Sequence, residues 1–314
     1  MEILQECKGA KRIGISGHIR PDGDCVGSCL ALYQYLHKCM PDAEVKVFLE
    51  KPADIFREIK GFDLIDSEFG SQASFDVYFA LDCGQDRLGG AEAYFKGAAK
   101  KINIDHHVSN SGCGDVNYVM PQVGSTCELI YDLIDLDKLD KDMAMAIYIG
   151  MIHDTGVFQY SNTTPATLEK AAKLISYGFD FPRLIEETFY QKTYLQSQIM
   201  GRALMESVRF MDGQCIVSVI DRKTMDFYQV DSKDLEGIVN QLRNIKGVHC
   251  AIFMYETAPL EYKVSLRSDE KVDVAKVASH FGGGGHVCAA GCSMKGTSHD
   301  CINNLSLHIE EQLC

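Results

Sequence analysis

Three short apolar runs in the first half of the chain each end in acids or histidines. Arg12-Ile13-Gly14-Ile15-Ser16-Gly17 leads into His18-Ile19-Arg20-Pro21-Asp22-Gly23-Asp24. Asp76-Val77-Tyr78-Phe79-Ala80-Leu81 leads into Asp82-Cys83-Gly84, and Lys101-Ile102-Asn103-Ile104 into Asp105-His106-His107. Runs of this length and composition read as buried strands, and Glu44 to Leu49 adds another. The apolar spacing over residues 26–36, 124–136 and 140–152 reads as helix. Strands alternating with helices predict an α/β fold with a doubly wound parallel sheet. Such a sheet gathers its strand ends on one carboxyl edge, where ligands bind. Few arrangements would bring so many acids and imidazoles to one line.

Seven residues then converge as candidates: His18, Asp22, Asp24, Asp82, His106, His107 and, at the end of the 140–152 helix, Asp154. Pro21 fixes φ, and Gly23 lets the turn bend so that Asp22 and Asp24 can face different ions. Taken alone, that turn also fits a helix capped by Asp24 with His18 a satisfied strand-end histidine. Together the set suits two metals sharing a carboxylate, roughly 3.5–4 Å apart, around a phosphoryl centre. Oxygen and imidazole donors without cysteine favour two Mn²⁺ per chain, with Mg²⁺ an alternative. Asp105, beside the histidines, is placed to orient an imidazole.

The rest of the 314 residues predicts a second domain. We divide the chain into a metal-binding domain over 1–180, a polar and aromatic connector over 181–198, and a smaller α+β domain over 199–314. The last contains expected strands Gln214–Ile220, Val248–Tyr255 and Glu261–Arg267, and helices Leu235–Ile245, Asp273–Phe281 and His299–Gln312. A short helix is also expected over Asp54–Lys60, and Ser125 with Glu128 reads as a capping box.

A net charge of −13 argues against tracking along nucleic acid, which needs an extended basic face. The acidic start carries no signal-peptide pattern and no apolar run reaches membrane-spanning length, so a cytoplasmic protein is expected. The 13 cysteines form no CxxC pair, which disfavours a zinc ribbon. Cys83, Cys127 and Cys250 lie in apolar runs and read as small core residues, and Cys25 is assigned an apolar role behind the ligands.

HIRPDGD at 18–24, ALDCG at 80–84, IDHH at 104–107 and IHDTGVFQYSNTT at 152–164 together resemble the motifs of the DHH phosphoesterase family. VSLRS at 264–268 and FGGGGHVCAAG at 281–291 resemble its associated C-terminal domain. Within the family the arrangement is most similar to the bacterial nanoRNase/pAp-phosphatase group. The resemblance implies that His18, Asp22 and Asp82 hold one Mn²⁺ and that Asp24, Asp82, His106 and Asp154 hold the other, with His107 facing the scissile phosphate. His153 departs from the group, which usually has a small hydroxyl residue there; an added donor behind the ligands is expected. Arg87 follows Asp82 closely enough to contact a phosphate oxygen.

In the second domain, Gly283, Gly284 and Gly285 before His286 would let backbone amides approach a phosphate. Arg267, at a strand end, would grip that phosphate through its guanidinium. The expected protein is a metal-dependent phosphohydrolase and exonuclease acting on short oligoribonucleotides or on 3′-phosphoadenosine 5′-phosphate (pAp), in a cleft between the domains. Its rivals are a phosphodiesterase for cyclic or linear dinucleotides such as c-di-AMP and pApA, an inorganic pyrophosphatase, and a non-catalytic nucleotide sensor. Its partners are small nucleotides and short RNA, with no membrane, and a homodimer is one assembly the sequence allows.

Overall fold

A computed structural model describes residues 2–71, 74–269 and 271–313. The chain divides into two compact units, Met1–Gln191 and Lys192–Cys314.

The first unit is built on strands β1 (Arg12–Ser16), β2 (Glu44–Phe48), β3 (Val77–Leu81), β4 (Lys100–Asp105) and β5 (Val116–Val119). Its helices are α1 (Ile3–Glu6), α2 (Gly23–Cys39), α3 (Glu92–Gly97), α4 (Thr126–Leu133), α5 (Lys141–Asp154), α6 (Pro165–Ile175) and α7 (Phe181–Ile185). All strands are parallel, in the order β2-β1-β3-β4-β5. The chain reverses direction across the sheet between β1 and β3, and the crevice at that switch point is where open α/β sheets bind ligands. Consecutive residues of β3 show that both faces are buried. Phe79 enters a core with Val26, Leu30 and Ile147, whereas Tyr78 enters an aromatic cluster with Phe48, Phe75 and Phe95.

Helices α2 and α5 cross at glycines. A Cβ on Gly27 would lie 2.5 Å from the Ala146 carbonyl oxygen. One on Gly150 would lie 2.2 Å from Cys127 Sγ and 2.9 Å from Asp24 Oδ1. Helix α6 opens with Thr164 as cap and Pro165 in its first turn.

The second unit is a six-stranded sheet in the order β10-β11-β9-β8-β7-β6. It comprises β6 (Val208–Phe210), β7 (Cys215–Ile220), β8 (Cys250–Ala258), β9 (Glu261–Ser268), β10 (Gly284–His286) and β11 (Ala289–Lys295), with α8 (Tyr194–Met205), α9 (Arg222–Tyr228), α10 (Ile238–Arg243), α11 (Val274–Ser279) and α12 (Ser298–Leu313). Only β7 and β8 run parallel. One face packs on α12 through Cys301, Leu305 and Ile309; the other packs on α8 and α10 through Ile199, Ile238 and Leu242.

The 181–198 segment carries α7, a π-helical turn over Glu186–Tyr190 and the start of α8. The structure differs from several expectations. The predicted Leu235–Ile245 helix is interrupted, because Gly237 takes φ +83 between a 3₁₀ turn ending at Leu235 and α10. Asp54–Phe56 is a single 3₁₀ turn. Ser125 does accept the Glu128 N–H, but the Glu128 carboxylate turns away to the Thr167 hydroxyl and Lys170, so the capping box is half made.

Candidate metal centre

The β1–α2 turn supplies the first three candidates. Asp22, not Asp24, caps α2: its Oδ1 accepts the Asp24 and Cys25 N–H groups, both at 3.1 Å. Asp24 is thereby held inside the first turn, fully buried. Its Oδ2 accepts the Thr126 N–H at 2.7 Å and its Oδ1 the Cys127 N–H at 2.8 Å, so this carboxylate anchors the N-terminus of α4. His18 pairs Nδ1 with its neighbour's carbonyl, Ile19 O, at 2.8 Å. Its Nε2 faces the carboxylates, 3.3 Å from Asp82 Oδ2 and 3.6 Å from Asp22 Oδ1.

Asp82 stands at the centre. It follows β3 with φ +60, in the left-handed region that a side chain seldom adopts, and is only 2% exposed. Its Oδ1 accepts the Thr126 hydroxyl at 3.0 Å and lies 3.5 Å from His106 Nε2, while Oδ2 meets His18. His106 Nε2 is 3.0 Å from Asp154 Oδ2 and 3.9 Å from Asp24 Oδ2. Among the described residues, three overlapping donor groups result: His18, Cys25 and Asp82; Asp82, His106 and His107; Asp24, His106 and Asp154.

The adjacent histidines face different partners. Asp105 is fully buried, and its Oδ1 accepts the His106 and His107 N–H groups and pairs with His107 Nδ1 at 2.7 Å. Its Oδ2 accepts the Asn110 side-chain amide at 2.6 Å, and Asn110 also donates to Asn103 Oδ1 at 2.9 Å. Asn103 in turn donates to the carbonyls of Ala80 and Cys83, tying β4 to the Asp82 turn. Asn103 and Asn110 were not legible as site residues. A buried asparagine inside the apolar run Ile102-Asn103-Ile104 was the available signal, since a strand covered on both faces has little other use for it.

Asp105, His107 and Arg87 line one cavity of about 470 Å³, with Gln85, Glu92 and Asn110 among its other walls. The Arg87 guanidinium has no carboxylate partner among the described residues. His153 belongs to none of the three donor groups, although its ring lies close enough to act on Asp22. Its ring fills the space over Gly23, stands edge-on to Phe56 and Phe189, and bonds Thr188 Oγ1 through Nε2 at 3.2 Å.

The acids and imidazoles act strongly on one another. Burial, then the neighbouring Asp82 and Asp154, push the Asp24 carboxyl well above its ordinary range, and burial raises Asp154 as well. Desolvation pulls the two imidazoles down, but acidic neighbours win. Cys25, Asp22 and Asp82 hold His18 up to about 12, and Asp154, Asp82 and Asp24 hold His106 up to about 10. Buried carboxylates are stable only when charge-compensated. A set rich in oxygen donors with two imidazoles suits divalent ions such as Mn²⁺, Fe²⁺, Co²⁺ or Zn²⁺.

In the second unit, register aligns Arg267 with Ala289 and Ala289 with His286. Arg267 and His286 therefore share a face of the sheet, two strands or roughly 9–10 Å apart. The glycines form an edge strand rather than an open loop. A Cβ on Gly283 would lie 2.2 Å from Gly291 O, and one on Gly285, where φ is +150, would lie 2.3 Å from Ala289 O. Close strand packing accounts for those two glycines; at Gly284 the space is open.

Residues 12–151 match the DHH family, N-terminal domain, and residues 212–313 match the DHHA1 domain. The chain is 31% identical over 303 residues to a protein of Thermus thermophilus named bifunctional oligoribonuclease and PAP phosphatase NrnA, covering 95% of this chain and 88% of that one. A Bacillus subtilis protein of the same name is 28% identical over 300 residues, covering 93% and 92%. The crystal structure of an exopolyphosphatase-related protein from Bacteroides fragilis superposes with a TM-score of 0.91 at 26% identity, covering 98% of this chain and 94% of that one.

Proposed function

This chain belongs to the DHH family of phosphoesterases, and we propose that it hydrolyses short oligoribonucleotides and dephosphorylates pAp, using two divalent ions. The names of its relatives in Thermus thermophilus and Bacillus subtilis support that substrate class. The observation that carries the proposal is Asp82, a buried carboxylate with one oxygen toward His18 and the other toward His106.

In this reading His18, Asp22 and Asp82 hold one ion, and Asp24, Asp82, His106 and Asp154 hold the other. Bound divalent ions would supply positive charge at the phosphate and lower the pKa of a water. The oxygen-rich donor set favours Mn²⁺, with Mg²⁺ an alternative. The remaining work falls to the chain's own side chains. Asp105 fixes the ring of His107 through Nδ1, so Nε2 is the nitrogen proposed to meet a phosphate oxygen. Arg87, in the same cavity, adds a guanidinium to offset charge developing on that phosphate. Arg267 and His286 hold a second phosphate, and the open backbone at Gly284 leaves room for it.

The experiment is one substrate panel assayed with Mn²⁺: pAp, di- to pentaribonucleotides, pApA, cyclic di-AMP and pyrophosphate. Fastest turnover of diribonucleotides or pAp is expected. A preference for cyclic di-AMP or pyrophosphate would overturn the substrate assignment, and hydrolysis of none would overturn the enzymatic one.

A further inference from the structure

Cys25 belongs to the first of the three donor groups. Its Sγ and the ligand atoms of His18 and Asp82 all lie within 4.8 Å of one another, and all three side chains are buried. Octahedral donors about 2.1–2.3 Å from an ion stand up to roughly 4.5 Å apart, so these atoms could enclose one ion after small shifts. The thiol is directed there by construction. Cys25 is in the first turn of α2, where its N–H is held by Asp22, so one capped turn orients both residues. Its sulfur rests on a glycine: a Cβ at Gly17 would be 2.2 Å from Sγ. Only a residue without a side chain leaves that cradle open.

Other polar company is scarce. Among the described residues, Sγ meets the Cys29 thiol one turn on and the His18 carbonyl at 4.0 Å. The neighbouring thiols differ: Cys83 Sγ donates to Leu81 O at 3.4 Å, and Cys127 Sγ to Asp24 O at 3.6 Å, and neither joins a donor group.

We propose that Cys25 is a ligand of the metal position shared by His18 and Asp82, raising its affinity for Zn²⁺, Co²⁺ or Fe²⁺ relative to the position of Asp24, His106 and Asp154. The inference rests on the two-metal reading above. Soft thiolate donors favour those ions, whereas the position of Asp24, His106 and Asp154 keeps only oxygen and nitrogen and suits Mn²⁺. Binding forms a sulfur–metal bond and releases the thiol proton to solvent. Cys25 thus raises the affinity of the first position for those ions and does not touch the substrate.

The test is zinc-edge X-ray absorption on the full-length native protein loaded with one Zn²⁺ per chain. A sulfur shell at about 2.3 Å is expected, beside nitrogen and oxygen at about 2.0–2.2 Å. That shell should vanish in Cys25→Ser and persist in Cys29→Ser. Cys25→Ser should weaken Zn²⁺ binding by about 10- to 100-fold and leave Mn²⁺ binding within about threefold. The native spectrum stands even if the variant fails to fold. A native protein without the sulfur shell, or a shell that survives in Cys25→Ser, overturns the proposal. If the protein then still binds two Mn²⁺ and cleaves its substrate, the two-metal reading survives; if it binds no divalent ion, both fail.

Discussion

Asp24 accepts the backbone N–H of Thr126, 102 residues away, at 2.7 Å, and so one carboxylate in the first turn of α2 sets the start of a distant helix. Asp24 and Asp154 are proposed to hold the same ion, yet only Asp24 also holds backbone. In the metal-free protein, Asp24→Ala strands two buried N–H groups and should cost about 2 kcal/mol or more. Asp154→Ala loses only its contact with His106 and should cost less than half as much. Urea unfolding of both variants, with chelator present, measures the contrast; equal losses would remove Asp24 from its anchoring role.

Asp82→Ala and Asp82→Gly should both lose bound metal and turnover. They should differ in stability, because φ +60 penalises a Cβ and not glycine. The glycine variant is expected to be about 1 kcal/mol more stable, as read by thermal unfolding of the metal-free proteins.

His106→Ala should lower metal occupancy, whereas His107→Ala should keep both ions and lose about 10²-fold in kcat. Metal analysis beside steady-state kinetics separates them. Asp105→Asn should follow His107→Ala, since Asp105 acts through that ring.

Metal binding should tighten as pH rises. Without metal, His18 and His106 bind protons up to about 12 and about 10, so both are protonated at neutral pH. An ion must displace those protons, and its apparent affinity therefore falls as pH is lowered. Titration calorimetry at pH 7 in buffers of different ionisation enthalpy should report more than one proton released per chain. A release of none would mean that the imidazoles are neutral beforehand.

Arg267→Ala should reduce kcat/KM for diribonucleotides or pAp by about 10- to 100-fold, the value of one charge-assisted phosphate contact. Bis-p-nitrophenyl phosphate has no second phosphate to hold, and its hydrolysis should stay within about twofold. Equal losses on both substrates would assign Arg267 to the fold.

Legibility followed the strength of the local signal. The β1, β3 and β4 runs were readable because apolar segments ended abruptly in charge, and those endings carried the ligand set. Strands β5, β6 and β10 were not, because they are only three or four residues long and owe their existence to neighbours in the sheet. The glycine run before His286 invited a loop assignment, yet the Gly283 backbone lies against Gly291, a contact only tertiary structure reveals. Cys25 was hidden differently. It sits between Asp24 and Val26, at the start of an apolar helix, and nothing local tells a core thiol from one resting over Gly17 beside His18.

The glycine crossing of α2 and α5 bears on how such a chain can diverge. Gly150 contributes no chemistry, yet any side chain there would push on Asp24 Oδ1 and Cys127. A saturation library should therefore find Gly27 and Gly150 as intolerant as the ligands themselves, including to alanine, usually the gentlest replacement in a helix. Descendants of this sequence can trade specificity at the rim around Arg87 and Asn110, or along the open edge near Gly284. The interior between the two helices is closed to them.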